Sequence, residues 1–371
     1  LGGFITTYLS WRVGFGIEVA IIAVILLNIR LVRDVPYTGP RRVDFVGSAL
    51  SDVGMGGVVL GILVWQEGGE SVGLLIAIGA AALALLVFWL RRREREDKPM
   101  LLDPTLFRSK VFRMGVSGQM LQQICLGGMM IALPIYLQMV LEYNALQAGL
   151  SLAPLSLSMF AIAVIAGRRA GRRRPSVIIR IGFLLLVAGV AALIPIVPRA
   201  DSGWYLALPL LVAGCGLGML VSQLNNYTLG PISEERVSEA AGVNSASGSF
   251  GLSFGLAFAG AIMMATLALT FTTMAESSAV LSPAQAQQVA TALDEDAQIM
   301  SNTQLEDVLA GQPEAVREEI LRINTDARPI ALQIALLVPL LAGVIGLVNS
   351  FRMVHAPEPK LSGSAEGTLL A

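Results

Sequence analysis

Nine apolar runs, each near the length of about 20 residues that a helix needs to cross a bilayer, divide this chain. They lie near residues 13–32, 45–66, 72–90, 112–140, 147–168, 177–198, 204–229, 242–272 and 329–351, and residues 1–10 resemble the end of a tenth. In hydrocarbon, every backbone polar group needs a partner inside the protein, and runs of this length obtain it as helices. The pattern therefore predicts an all-α polytopic membrane protein.

The composition excludes several classes of function. Hydrophobic residues make up 54% of the chain and charged residues 14%, whereas soluble domains average about a quarter charged. The net charge of −1 gives no electrostatic footprint for a nucleic-acid partner. The single histidine is His355, and Cys125 and Cys215 lie inside apolar runs. We therefore expect no metal site, no cofactor and no enzymatic activity.

The distribution of basic residues predicts the orientation. If the C-terminus is cytoplasmic, 21 of the 26 Lys and Arg residues fall on the cytoplasmic side, among them the clusters at 91–98 and 168–174. This is the bias of the positive-inside rule. A missed helix would destroy the alternation, so the charges also support the number of spans.

The polar stretch 273–328 is predicted to be an acidic external loop. Within it Thr303 and Glu306 have the spacing of a capping box. Three apolar residues share one face of a helix there: Val316, Ile320 and Ile323. We expect short amphipathic helices packed over the outer mouth of the protein, with a mobile loop as the alternative.

Short motifs along the whole chain resemble the major facilitator superfamily, in particular its fourteen-helix drug:proton antiporter branch (EmrB/QacA-type). They occur in the order and at the spacing found in that branch. The motifs are Leu1-Gly2-Gly3, Ser10-Trp11-Arg12, Tyr136-Leu137-Gln138, Ala145-Leu146-Gln147-Ala148-Gly149 with Pro154, Gly167-Arg168-Arg169-Ala170-Gly171-Arg172-Arg173, and Glu234-Glu235-Arg236 followed by Ala241-Gly242-Val243-Asn244.

The resemblance implies a partial major facilitator fold in which the nine runs are helices six to fourteen. Residues 1–33 would end the N-terminal bundle, 34–91 would form two linker helices, and 92–111 a cytoplasmic linker. Residues 112–352 would form the complete C-terminal six-helix bundle, and 353–371 a cytoplasmic tail. We expect roughly four helices to precede this sequence in the complete protein.

The resemblance also implies roles for several motif residues. Gly2 and Gly3 would end the antiporter motif, and Trp11 with Arg12 would form the turn into the next helix. Gly167, Arg168 and Arg172 would belong to a basic loop that latches one transport state. Gly171 stands where the family usually carries Asp, so the alternative role for this loop is to fix topology and contact anionic lipid.

Two carboxylates lie well inside predicted spans, Glu18 and Asp52. Ionisable groups within a membrane are costly, so each is a candidate for function, here for proton coupling. The alternatives are that Glu18 is hydrated or paired with Arg12 near the interface, and that Asp52 is structural. Asp44, at the start of the same run as Asp52, is predicted to be a first-turn acid that interacts with the helix dipole.

Uncharged amides form a broader set of candidates for a substrate cavity. The set comprises Gln119, Gln122 and Gln123 in the run 112–140, and Asn225 and Asn226 in the run 204–229. Amide side chains in a membrane helix face a partner helix or a polar cavity rather than lipid. They would line a cavity or act as hydrogen bonds between helices, each worth about 0.6 kcal/mol.

Together these features predict proton-coupled multidrug efflux across the inner (cytoplasmic) membrane, with H⁺ and small amphipathic substrates as partners. One alternative keeps the fold but exports a dedicated metabolite, lipid or siderophore. Another is a truncated fragment that does not transport. Whether a periplasmic adaptor takes part is left open by the sequence.

Overall fold

The computed structural model describes residues 2–28, 44–66, 71–96, 98, 101–168, 174–233, 236–282 and 302–355. Within these ranges the regular structure is entirely helical, which confirms the predicted all-α class. Eight helical stretches there are long and apolar enough to cross a membrane. The protein is therefore a multi-pass membrane protein.

The first four helices are α1 (Gly2–Tyr8), α2 (Trp11–Leu27), α3 (Phe45–Gln66) and α4 (Val72–Arg95). None of the residues of α2 is buried. By contrast, α3 and α4 form a tight antiparallel pair, because Gly57 of α3 lies against Gly79 of α4. Side chains of α3, including Ile62, pack on α9, against Ala257 and Ala261.

The remaining helices form a bundle around one apolar core. They are α5 (Lys110–Ile135), α6 (Ala145–Arg168), α7 (Pro175–Ile196), α8 (Ala207–Leu229), α9 (Val237–Glu276), α10 (Asn302–Val308), α11 (Glu314–Ala335) and α12 (Leu337–Val354). Short 3₁₀ turns cover Pro104–Arg108, Val197–Arg199 and Gly203–Leu206. In this bundle α5 packs mainly on α9, and α8 packs on both α6 and α7.

Glycines set the spacing between α5 and α9. A Cβ atom built on Gly251 would lie 2.5 Å from the backbone oxygen of Met120, and one on Gly255 would lie 2.5 Å from that of Ile124. The two backbones therefore touch, as small residues permit in membrane helices. We call this contact the α5–α9 seam, and it recurs below.

Eight of the nine predicted spans are confirmed. The other, 13–32, is described only as the 17-residue α2, and residues 29–43 lie outside the description. The last span is interrupted at Leu336, where α11 ends and α12 begins. Pro339 explains this break, because it has no N–H to donate to the carbonyl of residue 335.

The run 112–140 also departs from a plain helix. After Ile135 the chain widens into a π-helical turn, Tyr136–Val140. Pro134 lies just before this turn, and proline removes one hydrogen bond from the helix that contains it. The hydroxyl of Tyr136 fixes the turn by donating to the carbonyls of Val197 (2.9 Å) and Ala200 (3.1 Å).

In the predicted external loop, the amphipathic helix is confirmed: α11 buries Val316, Ile320 and Ile323. The capping box is wrong. Thr303 lies inside α10, and its hydroxyl donates to Glu142 at 2.7 Å instead of capping the helix. A tertiary hydrogen bond between residues 161 positions apart has replaced the local one.

Candidate functional site

A group of amide side chains lies along the side of the α5–α9 seam that faces α8. Gln119 and Gln123 are one turn apart on α5, and both lie close to Gly248 of α9: a Cβ atom there would be 3.3 Å from the Gln119 Nε2. Both glutamines are half-buried. The small residue at 248 thus leaves their amides room beside the seam.

Asn244 joins this group from α9. It lies one turn before Gly248, so the two residues share a face. Its Nδ2 donates to the Oδ1 of Asn225 on α8 at 2.6 Å, while Asn244 itself is 2% exposed and Asn225 is exposed. We call Gln119, Gln123, Asn225 and Asn244 the amide face. Asn244 was not among the substrate-cavity candidates identified from the sequence. The signal that could have identified it is an asparagine in an apolar run, one turn before a glycine.

The amide face retains unused hydrogen-bonding capacity. The Oε1 of Gln123 and the Oδ1 of Asn244 are buried, and neither has a hydrogen-bond partner among the described residues. Most buried polar atoms in proteins are paired, so exceptions require an explanation. Binding the polar groups of a ligand is an explanation that fits a site between helices.

The other predicted amides lie elsewhere. Gln122 is 1% exposed, on the face of α5 that carries Gly118, and neither of its amide atoms has a partner among the described residues. Asn226 is exposed and donates to the carbonyl of Ser222 within its own helix. A further amide on α8, that of Gln223, links two helices, because its Nε2 donates to the Ala166 carbonyl on α6 at 3.3 Å.

The two candidate acids are both exposed, but they occupy different surroundings. Glu18 is exposed on α2, and Arg12 lies over the ring of Trp11 at 5.4 Å rather than pairing with Glu18. Asp52 is on the lining of a cavity of about 630 Å³ between the α3–α4 pair and the bundle. No described residue forms an ion pair with Asp52.

Asp44 organises the end of the α3–α4 pair that carries the basic cluster. Its carboxylate caps α3 by accepting from the Gly47 N–H (3.0 Å), and it also accepts from the indole of Trp89 (3.1 Å), from Arg93 (3.3 Å) and from the Leu101 N–H (3.2 Å). Burial disfavours its charge, but these donors outweigh burial and hold the pKa of Asp44 below its ordinary value. The role of Asp44 is thus structural, but it caps α3 from the position before the helix rather than lying in its first turn.

Most of the motif residues lie at helix ends. Gly3 abuts the backbone of Ala145 at the start of α6, and the Thr7 hydroxyl accepts from the Leu146 N–H at 3.2 Å. Gly2 belongs to the same helix, α1. Trp11 is exposed and stacks edge-on against Phe15.

In the basic loop, Gly167 and Arg168 form the exposed end of α6, and Arg172 lies outside the described residues. No group of three or more His, Cys, Asp or Glu side chains in the described part of the chain has the arrangement of a metal site.

A buried arginine links several elements at the end of the bundle that lies away from Asp44 and the basic cluster. Arg328 of α11 is 4% exposed and donates to the Met139 carbonyl in the π turn at 2.8 Å. It also donates to the side-chain oxygens of Asn324 and Asn302, each at 3.1 Å. The π turn, α10 and α11 are therefore held by one side chain.

Comparisons with known proteins agree with this architecture. The family model described as Major Facilitator Superfamily matches residues 45–256. The chain is 27% identical over 273 residues to the multidrug resistance protein Stp of Mycobacterium tuberculosis, covering 73% of this chain and 50% of that protein. It is 28% identical over 277 residues to the putative multidrug resistance protein MdtD of Escherichia coli, covering 71% of this chain and 55% of that protein. The chain thus spans about half the length of the curated relatives it matches.

Proposed function

The chain belongs to the major facilitator superfamily, and from this membership we propose that it works in the efflux of several unrelated small amphipathic substrates. Superfamily membership supports membrane transport rather than enzymatic activity. Relatives named multidrug resistance proteins support the choice of substrate class. The proposal concerns the whole transporter, because the chain spans about half the length of the curated relatives it matches.

The observation that carries the proposal is the amide face. Each amide both donates and accepts hydrogen bonds, so the face can satisfy polar groups of different geometry. It does so without the cost of a buried charge, which would select for a single partner. Free acceptors on Gln123 and Asn244, beside the exposed Asn225, make this surface suited to substrates that share little beyond a polar group and an apolar body.

Transport requires this face to open alternately to the two sides of the membrane. In transporters built from two bundles, rocking of one bundle against the other achieves this. The α5–α9 seam is compatible with such a motion, because its small residues let the two helices approach closely and shift against each other. We propose that the bundle of residues 112–352 moves in this way, with 34–91 and 92–111 as linker helices and cytoplasmic linker.

We further propose that efflux is driven by H⁺, with Glu18 and Asp52 as the residues that exchange the proton. Burial and neighbouring charges shift the pKa of a carboxylate, so a change in its surroundings can make it take up or release a proton. The location would be the inner (cytoplasmic) membrane, with the C-terminus in the cytoplasm as the basic residues indicate. Participation of a periplasmic adaptor stays an open proposal.

Dye efflux from cells that express the complete protein tests the proposal. We expect Asn225→Leu and Gln123→Leu to slow the efflux of several unrelated dyes. Asn226→Leu is the matched control, because Asn226 is the adjacent residue on α8 but bonds only within its own helix. Each variant should reach the membrane at the wild-type level, measured by fluorescence of a C-terminal tag.

The outcomes separate the candidate functions. Slower efflux of many dyes, together with loss of efflux when the proton gradient is collapsed, would support proton-coupled multidrug export. Efflux of a single compound would favour the dedicated exporter. Unchanged efflux in Asn225→Leu and Gln123→Leu, at normal expression, would refute the assignment of the amide face.

A further inference from the structure

The cavity that Asp52 lines lies on the other flank of the α5–α9 seam from the amide face. It has a volume of about 630 Å³ and is bounded by α3 and α4 on one side and by α5 and α9 on the other. Asp52 and Met55 line it from α3, Leu86 from α4, Met120 from α5, and Ser247 and Phe250 from α9. Drug-sized ligands occupy cavities of about 300–1,000 Å³, so this one is large enough to hold such a molecule.

The lining carries negative charge only. Asp52 and Glu239 are its carboxylates, and no Lys or Arg is among the described residues that line it. Glu239 is already engaged: it accepts from the Asp103 N–H at 2.6 Å and lies 3.6 Å from Arg236. Asp52 has no such partner among the described residues, so its charge is available to a ligand.

Apart from four serines, the rest of the lining is apolar and adaptable. The apolar side chains are those of five leucines, Phe107, Phe250, Val116, Val243, Ala246 and two methionines, Met55 and Met120. Unbranched thioether side chains fill irregular gaps and tolerate differently shaped partners. An apolar cavity with one available carboxylate matches a molecule with a flat or branched apolar body and a single positive charge.

We propose that this cavity binds amphipathic organic cations, with Asp52 as their counter-ion. The α3–α4 pair is then part of the binding apparatus rather than only a connection between bundles. This inference rests on the proposed export of small amphipathic substrates, and it specifies a class of substrate and a second place of binding. A lipid acyl chain is the competing occupant, and the experiment below separates the two.

The test measures equilibrium binding of ethidium, a monovalent aromatic cation, to the purified complete protein in lipid nanodiscs. A neutral dye of similar size is measured in parallel. We expect Asp52→Asn to weaken ethidium binding about fivefold, the effect of one partly screened charge pair. Asp52→Glu should bind as wild type does, and the neutral dye should respond to neither change.

A second pair of variants tests the cavity itself. Gly242 lines the cavity, and a Cβ atom there meets nothing within 4 Å, so Gly242→Phe adds a ring without displacing the backbone. We expect it to weaken ethidium binding about tenfold or more. Gly56→Phe is the control, because Gly56 is exposed on α3, also has no atom within 4 Å, and does not line the cavity.

Each outcome decides between explanations. Weaker ethidium binding in Asp52→Asn and Gly242→Phe, but not in Gly56→Phe, would support the proposal. Unchanged binding in Asp52→Asn and Gly242→Phe would overturn it. Less co-purified lipid in Gly242→Phe, with ethidium binding unchanged, would assign the cavity to an acyl chain and also overturn it. Because binding is measured without transport, these results are independent of whether dye efflux is observed.

Discussion

The close contact of the α5–α9 seam makes a sharp prediction about Gly251. A methyl group placed there by Gly251→Ala would be 2.5 Å from the backbone oxygen of Met120 and 3.1 Å from its Cγ. Ordinary contact begins at 3.4 Å, so the helices must separate by about 0.9 Å at this point. Overpacking of this kind costs about 1–3 kcal/mol in a well-packed interior.

Gly242→Ala in the same helix is the matched control. Its Cβ atom meets nothing within 4 Å, so it introduces no steric conflict. Both variants gain the same helix propensity, up to about 1 kcal/mol for alanine over glycine. The difference between them therefore isolates the steric cost, and we expect Gly251→Ala to be less stable than Gly242→Ala by about 1–3 kcal/mol.

The assay is thermal unfolding of the purified protein in one detergent, followed by the loss of monodisperse protein on size exclusion. Gly242→Ala should unfold at or slightly above the wild-type midpoint, and Gly251→Ala several degrees below it. Equal midpoints for the two variants would refute the reasoning, because they would show that the seam accepts a methyl group without strain.

Three further predictions concern other parts of the molecule. Asp44→Asn should lower the thermal midpoint by an amount equivalent to about 1–3 kcal/mol, because donors aimed at a carboxylate are left poorly paired; an unchanged midpoint would contradict this. The hydroxyl and N–H of Thr303 hold the pKa of Glu142 below its ordinary value of 4.5. A carboxylate whose pKa is lowered in the folded protein stabilises the fold at pH values above its ordinary pKa. That stabilisation is lost as the pH falls through the lowered pKa. The protection factor of the α10 amides, which corrects for the intrinsic slowing of exchange in acid, should therefore fall below about pH 4.5 and be low at all pH values in Glu142→Gln; high protection in that variant would contradict the docking. In the proposed orientation Ser277 lies outside the cell and Ser233 lies in the cytoplasm. On a cysteine-free background, an impermeant thiol reagent added to cells should therefore label Ser277→Cys but not Ser233→Cys. The reverse pattern would invert the proposed orientation.

The features that could be predicted from sequence depend on local physics. The presence of helical spans follows from the need to satisfy the hydrogen bonds of the backbone within lipid. Each apolar run meets this need by itself, by forming a helix. The buried face of α11 was likewise readable, because Val316, Ile320 and Ile323 repeat at the period of a single helix. The break at Leu336 also had a local signal in Pro339, although the hydropathy of the run concealed it.

The features that were missed depend on how one helix is rotated against another. Asn225 and Asn244 meet only because α8 and α9 turn particular faces toward each other, and hydropathy does not specify that rotation. The same holds for Thr303, whose hydroxyl finds Glu142 across the fold rather than the end of its own helix. Asp52 was identifiable as unusual, but its cavity exists only because the α3–α4 pair packs on α9.

The seam couples the two proposed sites. On α9, Asn244 and Gly248 lie on the flank of the amide face, whereas Ser247 and Phe250 lie on the flank of the cavity. On α5, Gln119 and Gln123 flank one side, and Met120 reaches the other. Because the backbones touch between them, a shift of α9 that widens one flank must narrow or displace the other. Gly251→Ala, which forces the seam apart, should therefore alter both dye efflux through the amide face and ethidium binding in the cavity. A change in one without the other would show that the two flanks respond independently.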